Sequence, residues 1–308
     1  METYILKHND FRTRINSRSG GAFTAISDLI LDKGGVIYGV TLIDNIYARH
    51  IRVETVEGRN SMRGSKYIQS SIGDCYKKAL EDLKNEKWVL FSGTPCQIAG
   101  LNTFLGREYE KLVTVDIACY GVPSPKIWRD YISYLEKLCK KKVVKANFRN
   151  KYKFGWVAAK ETITFDDSSK KDFGIFTDLF YSNKILRPSC YQCPFKTLDR
   201  ISDFTIGDAW GIDKANPEFN DDNGVSIVLV NTEKALALFD SIQCATTKAV
   251  NISDYMQPPF QYAHKSPDNR ENFWKYYHGH SFGQVVEKYK NEVRMRKIKQ
   301  TLKRRLHL

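Results

Sequence analysis

Apolar residues along the chain follow two rhythms, a helical spacing of three to four and short continuous runs, and the two alternate in order. Phe23, Ile26, Leu29 and Ile30 lie on one helical face within Ser17–Gly35, and Gly34-Gly35 supply a stop, which predicts an amphipathic helix. Val36–Leu42 and 46–53 read as strands about a turn at Asp44-Asn45. A helix from about Asp74 to Asn85 precedes the apolar run Trp88–Phe91. A helix over Gln97–Phe104, with Pro95 in its first turn, precedes the run Leu112–Ala118, and another helix follows from about Lys126 to Leu138. Apolar runs separated by helices are the pattern of buried parallel strands joined by crossovers. Lys142–Arg149 and Trp156–Phe165 read as strands with one wet face, Asp166–Lys171 as a turn, and Thr177–Asn183 as a helix. Phe204–Asp208 and Val225–Val230 read as strands, with a helix over Glu233–Ile242. The expected fold class is α/β with α+β character: a mixed sheet core, helices on its faces and cysteine-bearing loops at strand ends.

The 308 residues, 42% hydrophobic and 13% aromatic, fit a globular protein of one large or two ordinary domains. We expect a main body over 1–245 and a C-terminal extension over 246–308. No apolar run approaches the roughly 20 residues that cross a bilayer. The opening METYILKHNDFRTR lacks the apolar core and cleavage site of a secretory signal, so a cytoplasmic location is expected. The net charge of +13 is uneven, because Glu287–Leu308 holds nine Lys/Arg against two Glu. That tail reads either as a solvated extension or as a basic amphipathic helix at the inner membrane face. Nucleic acid is the weaker partner, since the basicity says little about the body.

Seven cysteines in a reducing compartment are more readily metal-bound or buried than paired as disulfides. Cys190 and Cys193 form a Cys-x-x-Cys between Pro188 and Pro194, a turn that aims two sulfurs at one point. Cys96 follows one apolar run at a predicted helix start, where the dipole favours thiolate. Cys119 directly ends the next run. In a strand-helix-strand unit both emerge at the carboxyl edge of one sheet. Cys96, Cys119, Cys190 and Cys193 therefore make a four-thiolate set. Zinc and iron–sulfur clusters both accept such a set, and one pair plus two isolated strand-end cysteines tilts toward a cluster. Cys75, Cys139 and Cys244 read as packing or surface cysteines. Ser19-Gly20-Gly21 at a helix start suits either a phosphate or a plain N-cap. Arg63, Ser65, Lys66 and Gln69 suit a phosphate, a ring carbonyl or a solvated loop. The six histidines form no catalytic pattern, and neither a Walker loop nor a Gly-x-Gly-x-x-Gly is present.

GTPCQIAGL (Gly93–Leu101), VDIACYGVPSP (Val115–Pro125), RPSCYQCPF (Arg187–Phe195) and ISDFTIGDAWGI (Ile201–Ile212), with SGGAFTA and RGSKYIQSSIG upstream, resemble the coenzyme F-420 (deazaflavin) hydrogenase/dehydrogenase beta-subunit family. The resemblance spans about Ser17–Phe239. It implies an oxidoreductase and iron–sulfur flavoprotein carrying a 4Fe-4S cluster and FAD. Electrons would pass from a ferredoxin-type donor to deazaflavin or to a small-molecule or glycan-precursor acceptor of polysaccharide biosynthesis. It implies cluster ligands Cys96, Cys119, Cys190 and Cys193, and flavin contacts at Ser19, Gly20, Gly21, Thr24, Ser65, Lys66, Tyr67, Gln69 and Thr94. Asp203, Gly207 and Asp208 would line the site near the cluster. Catalytic roles fall to Asp208 and to Lys66, the latter beside the reduced ring. Two departures stand out: no cysteine precedes Cys75, where many members carry ferredoxin-like motifs, and Tyr120 stands where the family often has His. Competing readings are a zinc-stapled binding module with a basic tail and a non-redox accessory protein of polysaccharide biosynthesis.

Overall fold

The computed structural model describes residues 1–44 and 46–289, so the basic tail from 290 onward lies outside the described residues. The described strands are β1 (Glu2–His8), β2 (Val36–Ile43), β3 (Tyr47–Val53), β4 (Val89–Gly93), β5 (Leu112–Ile117), β6 (Val143–Asn147), β7 (Glu161–Phe165), β8 (Lys170–Phe173), β9 (Phe204–Asp208), β10 (Ser226–Val230) and β11 (Ala245–Ala249). Eight of them make one mixed sheet in the order β11-β1-β10-β9-β5-β4-β2-β3, and β6-β7-β8 make a small antiparallel sheet. β2, β4, β5 and β9 run parallel at the centre, with antiparallel neighbours on both sides. The molecule is thus the mixed α/β architecture expected from the pattern of runs.

Alternation along the strands gives the large sheet two apolar faces. Leu90, Val113, Val115 and Phe204 pack against Ile26 and Ile30 of the Ala22–Asp32 helix and Leu238 and Phe239 of the Glu233–Asp240 helix. The alternate positions Val89, Phe91 and Leu112 pack on the Cys75–Lys84 and Pro95–Leu105 helices. A separate core joins the small sheet to Trp128 and Tyr131 of the Pro125–Cys139 helix, to Phe176 and Phe180, and to Phe273 and Tyr277 of the Arg270–Gly279 helix. Full burial of each such aromatic contributes about 1.5–3 kcal/mol.

Three strands were not anticipated. β1 breaks its alternation with Lys7 and His8, β8 is short and charged, and β11 is polar because it is an edge strand. The expected boundary after residue 245 falls inside β11, which pairs along its length with β1. Among the described residues no helix is long and apolar enough to cross a membrane.

Candidate functional site

β4 and β5 are parallel neighbours joined through the Pro95–Leu105 helix. Thr94 N-caps that helix in a capping box with Gln97, Pro95 opens it, and exposed Cys96 follows at its start. Cys96 Sγ lies 3.2 Å from Thr94 Oγ1. Cys119 stands two residues past β5, whose ladder to β9 is extended by the Ala118 N–H donating to Ile206 O. Both cysteines therefore leave the same sheet edge.

Cys190 and Cys193 come from a 3-10 turn over Pro188–Gln192. Two backbone bonds clasp this segment to the loop after Cys119: Arg187 N donates to Val122 O at 3.0 Å and Ser124 N to Ile185 O at 3.3 Å. Lys196 Nζ adds a third, 2.7 Å to Tyr120 O. Below them lies a buried ion pair, Arg200 to Asp116 of β5 at 2.7 Å, with Arg200 also donating to Phe195 O and Thr197 O.

The four sulfurs share one electrostatic neighbourhood. Burial pushes the Cys119 thiol up to about 12, with Cys96 and Cys190 adding to the shift. Cys190 is raised by burial and then by Cys193 and Cys96, and the Lys196 ammonium feels Cys119, Cys193 and Cys190. The sulfurs nonetheless stand apart. A single tetrahedral zinc with bonds of about 2.3 Å holds its thiolates roughly 3.8 Å from one another. Among the described residues the one set of three His, Cys, Asp or Glu ligand atoms all within 4.8 Å is His8, Asp28 and Cys244, not the four cysteines. No three of the four cysteine sulfurs lie within 4.8 Å of one another, so they do not close on a single ion as they stand.

Ser19, Gly20, Gly21 and Thr24 lie beside the same sheet and are largely engaged by the protein. Ser19 Oγ donates to Asp208, Gly20 N donates to Ser226 Oγ at 2.9 Å, and Thr24 Oγ1 accepts from Arg63 at 3.1 Å. Gly20 is required by packing, since a Cβ there would sit 2.0 Å from Leu6 O. Gly21 caps the Ala22–Asp32 helix at φ +97° with no side-chain cap, and no protein acceptor among the described residues meets the N–H groups of Gly21, Ala22 and Phe23. That free helix start suits an anion.

Lys66 turns inward and donates to the carbonyls of Ser61, Met62 and Arg63, and desolvation brings its ammonium down to about 7. Its donors are committed to the turn after Val56–Asn60, not to an open face. Ser65 and Gln69 are half-buried in the same loop, and Tyr67 packs edge-on to Phe180. Asp208, at the cysteine-bearing end of β9, is held by Ser19, by Trp156 Nε1 at 3.1 Å and by Arg18 at 3.0 Å. Gly207 keeps β9 close to β5, because a Cβ would meet Ala118 at 2.8 Å.

Asp203 corrects the sequence reading. It precedes β9 at the opposite end of the strand, some 16 Å along from Asp208 by strand rise, and bonds Thr114, Thr232 and Lys234. It anchors the far edge of the sheet and does not line the cluster site. Sequence reasoning missed Arg200 and Arg18, whose partners are distant in the chain. It also missed His264, whose ring lies 3.9 Å from that of Tyr120 and whose burial, with Lys196, lowers it to about 4.

Residues 86–254 match the family described as the C terminus of the beta subunit of coenzyme F-420 hydrogenase/dehydrogenase. Thirteen solved chains match in structure. One, from the xenon-derivatised F-420-reducing nickel–iron hydrogenase complex of Methanosarcina barkeri, superposes with a TM-score of 0.54 at 17% identity, covering 80% of this chain and 81% of that one. No curated protein sequence matches.

Proposed function

From the premise that this chain belongs to the coenzyme F-420 hydrogenase/dehydrogenase beta-subunit family, we propose a redox subunit whose Cys96, Cys119, Cys190 and Cys193 hold a 4Fe-4S cluster beside a flavin site. What supports this reading is the family match together with four thiols, from three separated segments, that perturb one another electrostatically. When bound, the cluster and FAD would supply one-electron and hydride chemistry respectively. The chain's own residues set the frame. The Arg187–Val122 and Lys196–Tyr120 bonds fix the paired cysteines over Cys119. The exposed edge at Cys96 leaves a face for a ferredoxin-type donor. The free N–H groups at Gly21–Phe23 support a phosphate of FAD there, with Ser19 and Asp208 fixing the turn that presents them. Ser65, Tyr67, Gln69 and Thr94 are assigned to the same flavin site from the motif resemblance. Burial brings Lys66 down to about 7, so it would be only partly protonated at neutral pH, and turning out from its three carbonyls would restore its full charge beside the reduced flavin. We place the protein in the cytoplasm and take its acceptor to be a small organic molecule, deazaflavin or a glycan precursor.

The test is anaerobic isolation with iron, acid-labile sulfide, zinc and flavin measured together. About four irons and four sulfides per chain are expected. Cys→Ser at 96, 119, 190 or 193 should abolish them, whereas Cys75→Ser and Cys139→Ser should not. One zinc without sulfide would refute the redox reading.

A further inference from the structure

The small sheet turns its apolar side chains inward and its charge outward. Ile163 and Phe165 of β7 belong to the core around Trp128 and Phe176. Register fixes the opposite face. Lys145 of β6 pairs with Thr164, and Thr164 with Lys170 of β8; one step along, Asn147 pairs with Thr162 and Thr162 with Asp172. Lys145, Thr164 and Lys170 therefore stand in one row across the three strands. The turn between β6 and β7 is pinned over this face, because Asn150 Nδ2 donates to Thr162 Oγ1 at 2.9 Å and Lys153 pairs with Asp172. Lys153 and Lys160 both lie over the Phe154 ring, 5.3 and 5.2 Å from its centroid.

Charge and exposure set this part of the molecule apart. Residues 140–173 hold ten Lys/Arg against four Asp/Glu, whereas the rest of 1–286 carries 29 of each. Of the four acids, Glu161 is buried, and Asp167 and Asp172 already answer Lys141 and Lys153. Among the described residues no carboxylate is in ion-pair contact with Lys145, Lys160 or Lys170. Arg149 lies over the Tyr67 and Tyr181 rings and Lys151 is buried on three carbonyls, so the cations left on the surface are all lysines. The same turn carries the two most exposed large apolar side chains among the described residues, Tyr152 at 84% and Val157 at 66%. Lysines on edge strands keep a sheet from pairing with another, but that duty gives no reason for an exposed tyrosine and valine beside them.

We propose that this face docks on an anionic bilayer, with its lysines over acidic headgroups and Tyr152 and Val157 entering the interface. The chain's own remaining segment cannot be the occupant, because residues 290–308 hold eight Lys/Arg against one Glu. That segment follows Tyr289, which is buried in the same core as Val143, Ile163 and Phe165. Two basic elements thus belong to one side of the molecule, and an extended negative surface answers both. A lysine ammonium is a flexible point charge suited to fluid headgroups, whereas a fixed phosphate geometry favours the arginine fork. The inference does not depend on the redox reading.

The experiment is flotation of the full chain with vesicles of phosphatidylcholine, with and without about 30% phosphatidylglycerol, at about 50 and 500 mM salt. Binding is expected to the anionic vesicles, and it should fall tenfold or more at the higher salt. Lys145→Glu with Lys170→Glu should lose tenfold or more at low salt, whereas Lys77→Glu with Lys84→Glu, exposed on the Cys75–Lys84 helix, should lose little. Tyr152→Ser with Val157→Ser keeps every charge and should still lose a few-fold, with unchanged circular dichroism. No flotation with either vesicle, or an equal loss in the two lysine pairs, would overturn the proposal. Full binding by folded Lys145→Glu with Lys170→Glu would overturn it in favour of the tail alone, and full binding by the Tyr152 and Val157 variant would overturn the insertion. Duplex DNA bound in place of vesicles, and lost in the Lys145 and Lys170 variant, would make the partner a nucleic acid and overturn the bilayer.

Discussion

Replacing Arg200 by Met keeps an unbranched apolar stem and removes the charge that answers Asp116. Both side chains are essentially sealed from solvent, at 1% and 0% exposure. Arg200 makes bonds of 2.7 Å to Asp116, 3.1 Å to Thr205, 2.9 Å to Phe195 O and 3.2 Å to Thr197 O. Breaking a buried pair from one side leaves an uncompensated charge, at a cost of about 3–5 kcal/mol. Burial already pushes the Asp116 carboxyl up against the pull of Arg200, so the variant protonates Asp116 and the loss should fall near the lower bound. With a urea slope of about 3 kcal/mol per M, the midpoint should drop by roughly 1 M. Asp116→Val combined with Arg200→Met removes both charges and should recover most of that loss. Because Arg200 also grips the carbonyls just past Cys193, the single variant should lose bound iron faster under chelator. A midpoint drop below about 0.3 M, or a double variant no more stable than the single, would refute the reasoning.

Gly20→Ala should unfold the protein or cost more than about 3 kcal/mol, because its Cβ would meet backbone atoms at 2.0 and 2.5 Å that belong to two neighbouring strands. Gly34→Ala, at φ +68° with open space around it, should cost only about 1 kcal/mol in a thermal melt. His50 is lowered to about 4, chiefly by burial. Since its unfolded pKa is higher, the unfolded chain binds more protons between the two values, and stability should fall as pH drops from about 6.5 to 4, by up to about 3 kcal/mol. His50→Gln should flatten that slope by one proton in urea midpoints taken across the range, and an unchanged slope would sink the assignment. Trp156→Phe removes a 3.1 Å donor from Asp208 and should cost about 1.5 kcal/mol, read by urea titration and set against no loss in Val157→Ala at the exposed neighbour.

Legibility in the sequence tracked locality. The crossover from β4 to β5 could be read because two apolar runs bracket a helix with a proline start, and that alone put Cys96 and Cys119 on one edge. The Cys190–Cys193 turn announced itself by spacing. Asp203 misled because it sits five residues from Asp208 in one motif, while a strand carries those two carboxylates to opposite edges. The grouping of His8, Asp28 and Cys244 had no sequence signal, since it depends on β1 pairing with β11 across most of the chain. Arg18 and Arg149 were invisible for the same reason: a lone arginine gains meaning only from the rings and carbonyls it meets.

β1 lies between β10 and β11, so the first of these strands to be synthesised finds one hydrogen-bonding neighbour only after residue 230 has been made and the other only after residue 249. A nascent chain must therefore hold Glu2–His8 unpaired while the central parallel strands assemble. Such long-range pairing makes for slow folding, and it exposes a ready edge to other chains in the interval. Lower growth temperature should consequently raise soluble yield more than any change near the cysteines.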